Sequence, residues 1–332
     1  MPERLLKIIR SFSQHKLLIV GDSIADKFLY GSISRVSREA PVFILRHELT
    51  ETVPGGAANC ALNLAALGAN VSLISLAGND EAGIALRDKL HAAGVNVAGL
   101  LLSEKVQTTT KVRILAGHAH ANKQQVIRVD YEDAPLNDLE LRQKINAHLK
   151  NTLDSADAVI LSDYNYGLLD DHAIELVREK QRAKNIPILV DSRFRLSEFS
   201  GFTAATPNQD EVENLIGAPI DSAANLEAAA ESLKQKLRYN ALLVTRGSRG
   251  MMLLQDGESP LHIPAVGAEQ AVDGTGAGDT VIATFALALA SGSSFGEAAH
   301  LANHAGGLVV MKRGTASITA AELEQSINDS KS

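Results

Sequence analysis

The 332 residues carry 32 Lys and Arg against 39 Asp and Glu, a net charge of −7, with 45% hydrophobic residues and a single cysteine. That length suits one large α/β domain or two smaller ones, and an acidic chain without a basic block is not built for phosphate-led nucleic-acid binding. One cysteine excludes a disulfide framework, no apolar run reaches the roughly 18–20 residues that span a bilayer, and the start Met1–Lys7 lacks a signal-peptide core, so a soluble cytoplasmic protein with no nucleic-acid or membrane partner is expected.

In chain order, buried strands are predicted over Leu17–Val20, Val71–Leu76, Ala158–Leu161, Ile188–Val190 and Leu242–Thr245. Helical patterns lie between them at Ala57–Leu67, Ala82–Ala93, Asp170–Lys184 and Asn225–Leu237. Such alternation predicts an α/β fold, a mainly parallel sheet with helices on both faces. The strand tips Gly21-Asp22, Ser162-Asp163 and Asp191-Ser192 are the expected rim of a site, because ligands of open α/β sheets gather at the carboxyl ends of strands. Cys60 falls in an Ala/Leu-rich helix pattern and reads as a buried, inert thiol.

Segments 28–53 and 105–132 break the pattern, since neither contains a good helix. The second alternates with period two over Lys111–Leu115 and Gln125–Asp130, and Gly117–Asn122 between them reads as a hairpin turn with His118 and His120 facing solvent. Both segments are read as a small β-sheet projecting from a single domain over 1–327, with a frayed tail at 328–332. This sheet can close over a substrate, or pair with its copy in a homodimer, because exposed strand edges need cover.

The stretch Asp273-Gly-Thr-Gly-Ala-Gly-Asp279 runs straight into an apolar helix pattern over Thr280–Ala290. Its glycines let the backbone approach a ligand, and the helix start offers N–H groups and a partial positive charge to an anion. Neither common nucleotide motif accounts for it: no Gly-Lys dipeptide exists for a P-loop, and Gly274-x-Gly276-x-Gly278 is the wrong spacing, too late in the chain, for a dinucleotide fingerprint. A carboxylate ending an anion-binding loop makes sense if Asp279 takes the proton from a hydroxyl that attacks phosphorus. The amides of Gly276, Ala277 and Gly278 then stabilise the transferring phosphate. With an ordinary pKa of about 3.9, Asp279 is expected to be ionised and weakly basic, which suffices for a loose transition state that keeps the hydroxyl proton until late. The plainer alternative is a tight loop capping a core helix. A second motif, Gly55-Gly56-Ala57-Ala58-Asn59, opens the helix that ends near Leu67-Gly68, with Asn59 expected to face the same region.

These two motifs are similar to the paired signatures of ribokinase-like (PfkB) sugar kinases, and the resemblance covers nearly the whole chain. It implies a three-layer α/β/α ribokinase-like domain with a β-lid, transfer of the ATP γ-phosphate to a sugar hydroxyl, Mg²⁺ and possible monovalent-cation dependence. A narrower resemblance, carried by Gly21-Asp-Ser-Ile-Ala-Asp26, Ser34–Val42, Arg128-Val-Asp130, Ser162-Asp-Tyr164 and Lys312-Arg-Gly-Thr-Ala316, is to the heptose-7-phosphate kinase branch. It implies D-glycero-β-D-manno-heptose 7-phosphate as acceptor and the 1,7-bisphosphate as product. Bifunctional members add a nucleotidyltransferase domain with a His-x-Gly-His motif, so the kinase half alone is expected here. Where the branch carries two lysines, this chain has Tyr166 and Arg193, and Gly274 follows Asp273.

On that resemblance Asp26, Gly55, Gly56, Asn59 and Asp163 are candidates for sugar hydroxyls. Arg128 and Arg193 are candidates for a sugar phosphate, Arg193 with a bidentate fork. Asn208-x-x-Glu211 matches the magnesium-linked motif, although it equally reads as a turn and an acidic helix start. Thr245, Gly247, Gly250 and Gly274 fall on the nucleotide side, with Asn303 near the adenine. His300 and His304 share a helix face but lack a third ligand, which favours packing. Two other classes stay open: a PfkB-type kinase acting on fructose, ribose, a nucleoside or another sugar phosphate, and a non-catalytic sugar- or nucleotide-binding protein.

Overall fold

Apolar runs such as Leu17-Leu18-Ile19-Val20 have no polar face, which suits strands buried on both sides. The computed structural model, which describes residues 2–118, 123–267 and 271–330, places them at the centre of a nine-stranded sheet. From one edge its order is β13 (Leu261–Ile263), β12 (Met251–Gln255), β11 (Ala241–Thr245), β10 (Ala204–Ala205), β9 (Ile188–Ser192), β8 (Ala158–Asp163), β1 (Lys16–Gly21), β4 (Asn70–Gly78) and β5 (Asn96–Ser103). Strands β5 to β11 run parallel, and β12 and β13 are added antiparallel. The five predicted strands are all present. The unpredicted ones are a two-residue β10, β12, and the two edge strands β13 and β5, the latter of mixed burial.

Alternate residues of each central strand enter two cores. Leu17, Ile19, Ala158, Ile160, Ala241 and Leu243 pack on one side of the sheet, and Leu18, Val20, Val159, Leu161, Leu242 and Val244 on the other. Helices α2 (Ala57–Ala66), α8 (Ala277–Ala290), α9 (Phe295–Val309) and α10 (Ala320–Asp329) cover the first core, joined by α1 (Pro2–Ser11). Helices α4 (Leu139–Leu153), α5 (Asp171–Lys184) and α7 (Ala223–Leu237) cover the second. Helices α3 (Glu81–Ala92) and α6 (Gln209–Ile216) complete the set. Because α10 continues through Asn328 and Asp329, the chain end is helical two residues into the segment expected to fray.

The second sheet has the order β3 (Phe43–Gly56), β2 (Ser23–Val36), β6 (Thr110–Gly117) and β7 (Gln124–Tyr131). The two segments expected to form it do so, though β2 starts at Ser23 and β3 ends at Gly56, so both strands reach the centre of the molecule. β2 pairs antiparallel with β3 and parallel with β6, and β6 antiparallel with β7. The predicted turn at 117–122, including His120, lies mostly outside the described residues, while His118 is exposed.

Register decides what this sheet presents. Asp26, Lys111 and Asp130 stand in one cross-strand row, and Phe28, Arg113 and Arg128 in the next row on the same face, two residues along each strand. The opposite face carries Leu29, Ile114 and Ile127, then Lys27, Val112 and Val129. One face is thus charged and the other mainly apolar.

Candidate active site

The strand order turns back at β1, whose neighbours are β4 on one side and β8 on the other. A crevice opens at such a reversal, and here the second sheet rises beside it. The result is a cavity of about 340 Å³ lined by Asp26, Lys111, Arg113, Tyr164, Arg193, Glu211 and the loop Gly274–Asp279 among others.

Asp279 sits in the first turn of α8, which has no side-chain N-cap; Gly276 takes that place in a left-handed conformation, φ +76°. A Cβ at Gly276 would also lie 2.5 Å from Asn59 Nδ2, so both backbone and space demand glycine there. At Gly274 and Gly278 an added Cβ would meet nothing within 4 Å. Those positions face open space, and their lack of side chain serves approach by a ligand. Asp273 braces the loop by accepting the N–H groups of Thr275 and Gly314, both at 2.9 Å. The N–H of Ala277 is less available than expected, because the Gly274 carbonyl accepts it at 3.3 Å. The anion donors are therefore better drawn from Gly276, Gly278 and Asp279, whose N–H groups find no acceptor among the described residues.

The Asp279 carboxylate is 4% exposed. Asn59 Nδ2 donates to its Oδ2 at 2.7 Å, and the Tyr164 hydroxyl donates to its Oδ1 at 3.2 Å. Burial outweighs both donors and pushes its pKa up to about 7. The expectation of an ordinary, weak carboxylate base is corrected accordingly: the side chain holds a proton far more tightly than a surface aspartate.

Three residues expected to touch sugar have other work. Gly55 does not line the cavity; a Cβ there would collide with Asp26 Oδ2, so its role is to make room for Asp26. Asn59 spends its amide on Asp279 and its Oδ1 on the Asn63 amide at 3.2 Å, and Asn63 Oδ1 accepts the Thr280 hydroxyl at 2.9 Å. This chain ties α2 to α8. Asp163 lines the cavity, and its two oxygens also accept Ser192 Oγ at 2.7 Å and Arg195 Nη1 at 3.1 Å, which ties it to the end of β9 and the loop after it. Gly56 and Asp26 do face the cavity; Arg113 Nη2 donates to Asp26 Oδ1 at 2.9 Å, and the other oxygen remains for a ligand hydroxyl.

Arg193 lines both the main cavity and an adjoining one, together with Lys111 and Tyr164; Arg128 lines only the adjoining one, where Asp130 pairs with it at 2.9 Å. Burial lowers the pKa of Lys111. Lys111 and Arg113 were not picked out from sequence. Their alternation with the charged row of β2 was a usable signal, but only once strand pairing was known. Asp191, visible only as a strand tip, also lines the cavity, and burial among Glu211, Asp279 and Asp163 raises its pKa well above the usual range.

Asn208 and Glu211 form a reciprocal cap of α6: Asn208 Oδ1 accepts the Glu211 N–H at 2.8 Å and Glu211 Oε2 accepts the Asn208 N–H at 2.9 Å. The helix-start reading is therefore true of both. They also line the cavity, and burial raises the pKa of Glu211. The cap uses one lone pair of Asn208 Oδ1 and one oxygen of Glu211, and the other oxygen of Glu211 has no hydrogen bond among the described residues. Thr245, Gly247, Gly250, Gly274 and Asn303 come together around a neighbouring, more apolar cavity with Met251, Val281 and Val310. Asn303 Nδ2 donates to the Pro264 carbonyl at 2.7 Å. Among the described residues no group of three or more His, Cys, Asp or Glu suits a metal; His304 bonds Ser326 Oγ at 2.8 Å. No helix among them is long and apolar enough to cross a membrane.

A three-layer α/β fold with a carboxylate beside a glycine-lined helix start, under a small second sheet, defines a phosphotransferase that acts on an alcohol group. The pattern shared by pfkB family carbohydrate kinases matches residues 15–321, and the chain belongs to that family. It is 42% identical over 317 residues to the bifunctional protein HldE of Pseudomonas aeruginosa, covering 95% of this chain and 64% of that protein's length. In fold it is similar to Arabidopsis thaliana ribokinase complexed with ribose and ATP (TM-score 0.73, 20% identity, 94% of this chain and 98% of that one). It is likewise similar to Escherichia coli phosphofructokinase-2 in complex with potassium (TM-score 0.75, 17% identity, 96% and 100% covered).

Proposed function

We propose that the protein transfers the γ-phosphate of ATP to the anomeric hydroxyl of a sugar phosphate, with D-glycero-β-D-manno-heptose 7-phosphate as acceptor and its 1,7-bisphosphate as product. The observation that carries the reading is the position of Asp279. It is a buried carboxylate at the start of α8, between the apolar cavity that suits a nucleotide and the charged face of the small sheet. Motifs of the heptose-kinase branch and the identity to the Pseudomonas relative support this acceptor.

In this mechanism Asp26 and Gly56 hold the sugar, and Arg193, with Lys111 and Arg128, holds its phosphate. The acceptor hydroxyl gives its proton to Asp279 as its oxygen bonds to the γ-phosphorus and the bond to ADP breaks. The N–H groups of Gly276, Gly278 and Asp279 take up charge on the phosphoryl oxygens. Thr206 and Thr315 line the cavity, and their Oγ1 atoms are buried without partners among the described residues. Glu211, half-buried at the cavity wall, is the residue that would hold Mg²⁺; the ion would neutralise phosphate charge. Residues 1–327 act as one kinase domain with the four-stranded sheet as its lid, working in the cytoplasm. The apolar outer face of that lid, with Ile127, Val129 and Tyr131 exposed, pairs with a second copy.

ATP consumption against a panel of sugars and sugar phosphates tests the reading. Heptose 7-phosphate should give the highest kcat/KM. Preference for a neutral sugar would discard the phosphate subsite, and absence of turnover across the panel would leave only a binding protein.

A further inference from the structure

We infer that Tyr164 is a positioning residue for the base: its phenol, carried by a loop that the Asp22 carboxylate anchors, caps one oxygen of Asp279 and aims the other lone pairs into the cavity. The inference rests on Asp279 being the base.

The geometry is a relay of fixed contacts. Asp22 Oδ2, buried at the end of β1, accepts the N–H of Tyr164 at 2.8 Å and the N–H of Tyr166 at 3.1 Å. The loop it holds is tightly specified. Asn165 and Gly167 are left-handed, at φ +67° and +85°, and a Cβ on Gly167 would lie 2.8 Å from the Leu136 nitrogen. This backbone delivers the Tyr164 ring to the cavity wall beside Gly56, where an added Cβ would stand 3.1 Å from Tyr164 Cε2. Lys111 Nζ lies 5.8 Å from the ring centroid. The hydroxyl then reaches Asp279 Oδ1 while Asn59 caps Oδ2. Each carboxylate oxygen therefore has one protein donor and one direction left for a substrate proton.

The groups facing Asp279 explain why a second donor matters. Asp26 from β2 and Asp191 from the end of β9 act on it with like charge. Cys60 lies beneath it on α2, its thiol pushed up by burial. Asn59 and Tyr164 oppose these effects by donating to the charged form. Burial also raises the Tyr164 phenol well above its ordinary value, so it stays a donor across the working range, and Lys111 and Arg193 are its nearest cations.

The test is Tyr164→Phe, followed by kcat against pH from about 5.5 to 9.5 with saturating MgATP and sugar phosphate. Loss of a donor to the carboxylate should move the acid limb upward by about one pH unit. Turnover should fall about fivefold at pH 7 and rejoin the wild type near pH 9, with KM values within about twofold. A uniform loss at every pH, or an unmoved limb, overturns the inference. Asp22→Asn, which weakens the anchor without touching the cavity, should shift the limb in the same direction; no shift there overturns the relay even if Tyr164→Phe does not fold. Asp279→Asn in the same assay separates the two claims. Retained turnover removes Asp279 as base, whereas lost turnover beside an unmoved Tyr164→Phe limb removes only the relay.

Discussion

Replacing Asp279 by Asn should destroy activity and, above neutral pH, stabilise the fold. The side chain is 4% exposed and its pKa is pushed from 3.8 to about 7, chiefly by burial. Below pH 3.8 the carboxyl is protonated in both folded and unfolded chains and costs nothing extra. As pH rises, the unfolded chain releases the proton first and the folded chain keeps it until about 7, so stability falls through that window. Once both states are ionised, the accumulated cost is about 4 kcal/mol. Asparagine has the same shape, can still accept from Asn59 and never ionises. Urea unfolding should therefore find Asp279→Asn and wild type close together at pH 4 and the variant more stable by up to about 4 kcal/mol at pH 8. Steady-state turnover should fall about 10²–10⁴-fold, as for loss of a general base. Equal pH dependence of stability in the two proteins would refute the buried, raised carboxylate, and unchanged turnover would refute its role in proton transfer.

Other consequences are as direct. Arg193→Ala should raise KM for a sugar phosphate about 10- to 100-fold, the loss of a contact worth about 1.5–3 kcal/mol, and leave a neutral sugar unaffected; parallel kinetics on both substrates decide it. Gly278→Ala places a methyl in open space inside α8, so thermal unfolding should show equal or slightly higher stability, while kcat/KM for ATP falls about 10²-fold through misplacement of the phosphate. Gly276→Ala, forced into φ +76° against Asn59, should instead lose stability by at least about 1–2 kcal/mol. Ile127→Lys, on the apolar face of the lid, should convert a dimer into a monomer in light scattering without altering the folded protomer's circular dichroism.

The parts of the fold that follow from local chemistry were readable in the chain. Runs such as Leu17–Val20 and Ala158–Leu161 have no polar face, which marked them as central parallel strands, and glycines clustered before an apolar helix pointed to a helix start open to close approach. Charge placement was harder. Lys111 and Arg113 look like ordinary strand residues until the pairing of β6 with β2 puts them in rows with Asp26 and Phe28. Register between segments some 85 residues apart is a property of the folded sheet and leaves little trace in either segment.

Sequence alone determined that a carboxylate would stand at a glycine-lined helix start, because that depends on residue types a few positions apart. Only the tertiary structure decided what kind of carboxylate Asp279 is. Its burial, its two donors on α2 and the loop after β8, and the acidic neighbours from β2 and β9 come from four separate parts of the chain. The same holds for Asn59 and Gly55, whose residue types suit a sugar but whose amide or space is taken by neighbours. A side chain's chemistry is written in the sequence, whereas its solvation and its partners are set by what folding brings beside it.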